Sequence, residues 1–206
     1  MLRIGIMGGT FNPIHYGHLV TAEEARIQFN LDRVLFIPTG DPPHKEGQKI
    51  TNAQQRYLMT VMATGSNPYF YVSRMEIDRP QPSYTMDTVK DLHEVYKDSQ
   101  IFFITGTDAV LDILTWKNPA EILNLCIFIA ATRPGYELDR LNNIKKRLKD
   151  ELGIADINEK IHIIKIPALA ISSTDIRNRV RTGKPIRYLL PEGVANHIYK
   201  MGFYKK

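Results

Sequence analysis

The chain has 206 residues, 43% of them hydrophobic, with 27 Lys and Arg against 22 Asp and Glu. That is the composition of a globular protein with a real core, and its single cysteine excludes a disulfide within the chain. The formal charge of +5 is a mild excess that suits a phosphate-bearing ligand or weak nucleic-acid contact and selects neither.

The elements come in a regular order. "LRIGIM" near the start reads as a strand, and a helix begins near Tyr16 or Gly17, with Leu19, Ala22, Ala25 and Phe29 along one face. "RVLFIP" is a second strand, followed by the Pro- and Gly-rich loop 37–48 and by a helix whose inner face is expected at Tyr57, Leu58, Val61 and Met62. "YFYVS" is a third strand, and the loop 78–85 leads to a helix carrying Val89, Leu92, Val95 and Tyr96. "IFFIT" and "CIFIAAT" are nearly continuous apolar runs, as central strands covered on both faces should be. "IHIIKIP" is a further strand, and the tail reads as two helices, roughly 174–182 and 191–201. Strands alternating with helices predict an α/β, Rossmann-like, doubly wound and mostly parallel sheet with a small C-terminal helical extension. One domain over 1–206 is expected, with about 174–206 as its helical subregion. Cys126, inside "LCIFIAA", reads as a buried small hydrophobe. A chain with one thiol, no apolar leader and no run approaching the 18 residues of a span is expected in a reducing cytoplasm, away from membranes.

The segment "GGTFNPIHYGHL", residues 8–19, packs two glycines between the first strand and the first helix. Glycines there let a phosphate approach exposed backbone N–H groups, and the helix start adds its dipole. His15 and His18, three apart, share a face at the mouth of that helix. This is neither a G-x-G-x-x-G loop nor a P-loop, and two histidines alone are a weak metal signal.

Far away, "ISSTDIRNRVRTGK" at 171–184 opens on Ser172, Ser173, Thr174 and Asp175, all good cap or first-turn residues. A second helix therefore starts here with free N–H groups and hydroxyls at its mouth, and Arg177 lies in its first turn. Two such helix starts could grip a polyphosphate from opposite sides. Arg179 and Arg181 read as surface residues.

The first segment resembles the T/HxGH signature, and the second the ISSTxIR signature, of the nucleotidyltransferase superfamily related to class I aminoacyl-tRNA synthetases. "PPHK" at 42–45, "YTMDTV" at 84–89, "GTDAVLDILTW" at 106–116 and "TRPG" at 132–135 then follow in order. With them the chain is similar, over nearly its whole length, to the bacterial nicotinate-nucleotide adenylyltransferases. Thr107 stands where that family more often has Ala or Ser after the glycine.

The resemblance implies an attack by the 5′-phosphate of nicotinate mononucleotide on the α-phosphorus of ATP, with Mg²⁺ travelling with the nucleotide. It implies catalytic roles for His15, His18 and Arg177, and ATP contacts at Gly8, Gly9, Thr10, Phe11, Ile171, Ser172, Ser173 and Thr174. For the acceptor it implies Lys45, Thr85, Gly106, Asp108, Trp116 and Arg133, with Trp116 stacked on the nicotinate ring and Thr85 near its carboxylate. His44 stays open between ligand contact and loop packing. Small-molecule substrates are expected, with no nucleic acid and no membrane; the family includes monomers, and a homodimer is admitted. An adenylyltransferase acting on nicotinamide mononucleotide or phosphopantetheine is the alternative, and a non-catalytic nucleic-acid module a remote one.

Overall fold

The computed structural model describes residues 1–40, 50–80, 83–132, 138–167 and 170–205. The strands are β1 (Leu2–Gly9), β2 (Arg33–Pro38), β3 (Phe70–Val72), β4 (Ser99–Gly106), β5 (Ile127–Thr132) and β6 (Ile161–Lys165). The helices are α1 (Tyr16–Gln28), α2 (Ala53–Thr64), α3 (Thr85–Val95), α4 (Thr107–Leu111), α5 (Pro119–Leu125), α6 (Leu138–Leu152), α7 (Ile157–Lys160), α8 (Ser173–Arg181) and α9 (Glu192–Met201), and a 3₁₀ turn lies at Ile113–Thr115. The sheet runs in the order β3-β2-β1-β4-β5-β6. The pairs β1–β4, β4–β5 and β5–β6 are parallel. This is the doubly wound order expected from the alternation, with its reversal of travel between β1 and β4. Among the described residues no helix is long and apolar enough to cross a membrane.

The chain divides into two compact units. The first holds the described residues of Met1–Gly8, Thr21–Val34 and Tyr84–Ala168. Its core is the apolar interior of β1, β4 and β5, where Ile4, Ile6, Ile101, Phe102, Ile104, Phe128 and Ile129 are almost wholly buried. Arg3 closes one end. Its backbone N–H donates to Asp32 (2.7 Å), its Nε to the Phe29 carbonyl (2.9 Å) and its Nη1 to Gln100 (2.9 Å). Phe29 has left the helix by then and lays its ring near Phe102 and His162. Cys126 is buried, its Sγ donates to the Ile122 carbonyl, and burial pushes its thiol up to about 12.

The second unit holds the described residues of Gly9–Val20, Leu35–Ser83 and Leu169–Lys206. Here α2 departs from the expected inner face. Val61 and Met62 are exposed, while Arg56, Met59, Thr60, Ala63 and Thr64 point inward. The reason is that polar side chains on this face carry their own partners. Thr60 Oγ1 donates to the Arg56 carbonyl and Thr64 Oγ1 to the Thr60 carbonyl, so the hydroxyls are satisfied inside the helix. An apolar-period reading cannot see that. In α3, which belongs to the first unit, Val89 and Leu92 are buried but Val95, the last residue of the helix, is 68% exposed.

Arg56 is the most consequential of these. It is 1% exposed. Its Nε donates to the Thr51 carbonyl (2.8 Å), Nη1 to Thr10 (2.7 Å), and Nη2 to Thr39 (2.6 Å) and Gly40 (2.9 Å). Burial pulls this guanidinium below its ordinary range, while Tyr204 and Glu76 nearby act in the opposite sense. Removing it would strand four carbonyls. We expect Arg56→Met to destabilise the fold by roughly 3 kcal/mol or more, and Arg56→Lys to recover only part of it, because an ammonium cannot span the fork. Urea midpoints of the three proteins check this.

Candidate functional site

The first motif is built on the end of β1. Gly8 and Gly9 are the last two residues of the strand rather than residues beyond it. The chain then leaves the sheet through Phe11, whose φ of 46° is left-handed, a conformation that strains a bulky residue. The Phe11 ring is buried, at 6.0 Å from Phe36 and edge-on to His18 at 5.1 Å. Thr39 N–H donates to the Gly9 carbonyl at 2.9 Å, which ties the exit of β1 to that of β2.

His15 and His18 sit together as their spacing predicts, but they are not equivalent. His15 is 5% exposed, and its ring stacks on that of His18 with centroids 3.8 Å apart. His18 is half-buried. The backbone N–H of His15 donates to His18 Nδ1 at 3.2 Å. Nδ1 is therefore an acceptor, and the neutral His18 ring carries its proton on Nε2. Gly17 explains how the stack fits. A Cβ placed there would lie 2.9 Å from Cε1 and Nδ1 of His15, and 3.5 Å from the carbonyl oxygen of Ile171. Gly17 carries no apolar period to mark it, but a glycine in the first turn of a helix is a signal that a side chain has no room.

That Ile171 carbonyl belongs to the second motif, which lies directly against the first. Ser172 caps α8, its Oγ accepting from Asp175 N–H at 3.1 Å. Ser173 Oγ donates to the Pro13 carbonyl at 2.8 Å. Arg177 Nη1 donates to the Asn12 carbonyl at 2.8 Å, and its Nη2 to Thr174 Oγ1 at 3.1 Å. The hydroxyls at the mouth of α8 are thus not three equal donors. That of Ser173 is committed to the first motif, whereas Ser172 and Thr174 act as acceptors in these bonds and keep a proton to give. Asn12, which the sequence did not single out, is 6% exposed and takes bonds on both its backbone and side-chain oxygens. Arg179 pairs with Asp175 at 2.7 Å and Arg181 with Asn178, as surface residues do.

The residues expected at the acceptor lie in the first unit. Gly106 caps α4 at the end of β4 and Asp108 sits exposed in the first turn of that helix. A Cβ built on Gly106 meets no atom of the described residues within 4 Å, so their packing does not call for glycine there. Thr85 opens α3. Trp116 follows the 3₁₀ turn, half-buried, its ring 5.8 Å from that of Phe103 in a T-shaped pair and 6.1 Å from that of Phe128 in a tilted one. Lys117 beside it lies 4.8 Å over the Tyr84 ring and 3.8 Å from Asp87. Lys45, His44 and Arg133 lie outside the described residues.

Residues 6–179 match the family model described as cytidylyltransferase-like. A protein of Thermoanaerobacter sp. (strain X514) named "probable nicotinate-nucleotide adenylyltransferase" is 53% identical over 206 residues, covering 100% of this chain and 95% of its own. One of Moorella thermoacetica with the same name is 56% identical over 204 residues, covering 98% and 92%. Among solved structures, the Plasmodium falciparum nicotinic acid mononucleotide adenylyltransferase complexed with NaAD superposes with a TM-score of 0.80 at 19% identity, covering 99% of this chain and 98% of that one. That likeness is one of fold. The chain belongs to the cytidylyltransferase-like family and, within it, to the nicotinate-nucleotide adenylyltransferases.

Proposed function

We propose that this chain transfers the adenylyl group of MgATP to the 5′-phosphate of nicotinate mononucleotide, giving deamido-NAD and pyrophosphate. The observation that carries the reading is the junction of the two motifs. Ser173 on Pro13 and Arg177 on Asn12 bring a cation, two hydroxyls and the starts of α1 and α8 to one short loop. Such a loop is made for a polyphosphate.

The acceptor phosphate is mostly a dianion at neutral pH, its second pKa being near 6. One of its oxygens bonds to the α-phosphorus while the bond from that phosphorus to the β-phosphate oxygen breaks. Pyrophosphate leaves with the electron pair. No strong base is needed, so catalysis falls to positioning and charge neutralisation. His18 donates through Nε2–H to a phosphate oxygen, and His15 stacks behind it and fixes its ring. Arg177 neutralises charge developing on the leaving phosphates. Thr10 and Gly9 N–H groups, with Ser172 and Thr174, hold the triphosphate. On the acceptor side, Trp116 offers its open face to the positively charged nicotinate ring, Thr85 meets the carboxylate and Asp108 accepts from ribose hydroxyls. The open space at Gly106 supports a close approach of ligand to backbone. Lys45 and Arg133 are assigned to the acceptor by resemblance alone. Mg²⁺ comes with ATP as part of the substrate, since the motif presents N–H, imidazole and hydroxyl donors that suit an anion. A chain with one buried thiol and phosphorylated substrates suits the cytoplasm.

The test is an acceptor panel with one labelled ATP. We expect deamido-NAD from nicotinate mononucleotide, with slower turnover of nicotinamide mononucleotide and none of phosphopantetheine. Labelled dephospho-coenzyme A as the main product would replace this reading with its alternative. His18→Ala should lower kcat at least about a hundredfold, the loss typical of one transition-state donor; near-normal turnover would remove His18 from its role. Gly17→Ala should keep the helix, since alanine is the better helix former, yet lower kcat about tenfold or more by displacing His15 from the stack. Circular dichroism and pyrophosphate release measured together separate the two effects.

A further inference from the structure

The tail of the chain reaches back to the first motif. The C-terminal helix α9 ends at Gly202, whose φ is 66°, with Phe203 N–H donating to the Ile198 carbonyl in the usual left-handed termination. One residue further on, the backbone turns left-handed again, at Tyr204, with φ 64°. A tyrosine gains nothing locally from that conformation, which strains its own Cβ. What it gains is an aim. Tyr204 Oη donates to Asn12 Oδ1 at 2.9 Å. The same Oδ1 takes Thr51 N–H at 3.4 Å, and the backbone oxygen of Asn12 takes Arg177 Nη1 at 2.8 Å. Burial pushes the Tyr204 phenol up to about 12, against the pull of Thr51, Arg177 and Arg56, so it stays a neutral donor throughout the working pH range.

We infer that Tyr204 is a positioning residue for adenylyl transfer, holding Asn12 so that its carbonyl sets the guanidinium of Arg177. The inference rests on the function proposed above and adds a residue to it. Tyr204 touches neither substrate in this scheme. It acts through one side-chain amide on the cation that meets the phosphates. Oδ1 of Asn12 keeps the Thr51 N–H bond when the phenol is lost, so Tyr204→Phe removes one donor from Asn12 together with the phenol's own bond to the Thr51 side chain. Phe203 supplies the control. Its ring lies against His197 (5.7 Å) and Tyr204 (6.2 Å), and no hydrogen bond joins its side chain to the motif.

The experiment is a double-mutant cycle on Tyr204→Phe and Arg177→Lys, with Phe203→Leu alongside. All proteins are assayed with ATP and nicotinate mononucleotide at a temperature below every variant's melting midpoint. Tyr204→Phe should lower kcat about tenfold with the KM for nicotinate mononucleotide within about twofold, the effect of misplacing a catalytic group. In the Arg177→Lys background the same change should cost less than about twofold, because the group it places is already gone. Phe203→Leu should lower the melting midpoint and leave kcat in place. Equal losses from Tyr204→Phe in both backgrounds, or a kcat loss from Phe203→Leu matching that of Tyr204→Phe, would make the tail mere packing and overturn the inference. An inactive parent protein would instead defeat the proposed function, so the two failures are told apart.

Discussion

Three nearly consecutive carbonyl oxygens, those of Thr10, Asn12 and Pro13, accept from side chains rather than from the N–H groups of a sheet ladder or a helix. The chain has left β1 and has not yet entered α1. Buried backbone acceptors must find partners, and each here finds a side chain from a distant stretch of sequence. Thr10 takes Arg56, Asn12 takes Arg177 and Pro13 takes Ser173. The loop between β1 and α1 is therefore held by bonds from outside it. It exists in the shape that α2 and α8 impose, and a left-handed Phe11 persists inside it because those bonds over-determine the path.

That constraint explains why residues so far apart belong to one device. A loop that only had to turn from strand to helix could cap its carbonyls locally or expose them to water. Using an arginine from residue 177 and a serine from residue 173 makes the second motif part of the first motif's backbone satisfaction. Folding of the loop and assembly of the cationic site are then one event. The His15–His18 stack is the local counterpart. His15 is carried on the same short stretch: its backbone N–H on Nδ1 favours the His18 tautomer with the proton on Nε2, and its ring stacks on that of His18.

Much of this was legible in the sequence, for identifiable reasons. The central strands are plain because their apolar runs are nearly continuous, and the starts of α1 and α8 are plain because glycine and cap residues announce them. The inner face of α2 was misread because its most buried side chain is an arginine and two others are threonines bonded within their own helix. Hydrophobic period carries no trace of a polar group that brings its own partner. Asn12 and Tyr204 were invisible for a different reason. Their contact joins residues 192 positions apart, and neither carries a local pattern. The roles of Ser172, Ser173 and Thr174 were readable as capping but not as a division of labour. That depends on what each hydroxyl meets in space.

The two arginines of the loop show how the same residue type is given two tasks. A guanidinium has five N–H donors. Arg56 gives four of its donations to carbonyls at 51, 10, 39 and 40 and is almost wholly buried. It has little left to offer a ligand, and its charge is balanced by oxygen dipoles all round. Arg177 gives one donor to Asn12 and one to Thr174, and it is only half-buried. Those two bonds fix the plane of the fork and use two of its five donors, which suits the phosphate contact proposed for it. An arginine held by fewer bonds would lose more freedom on meeting the transition state, and one held by more would have nothing to give it. The observed division, one cation consumed by the backbone and one half-committed to it, suits the proposed reaction, in which placed charge does the work.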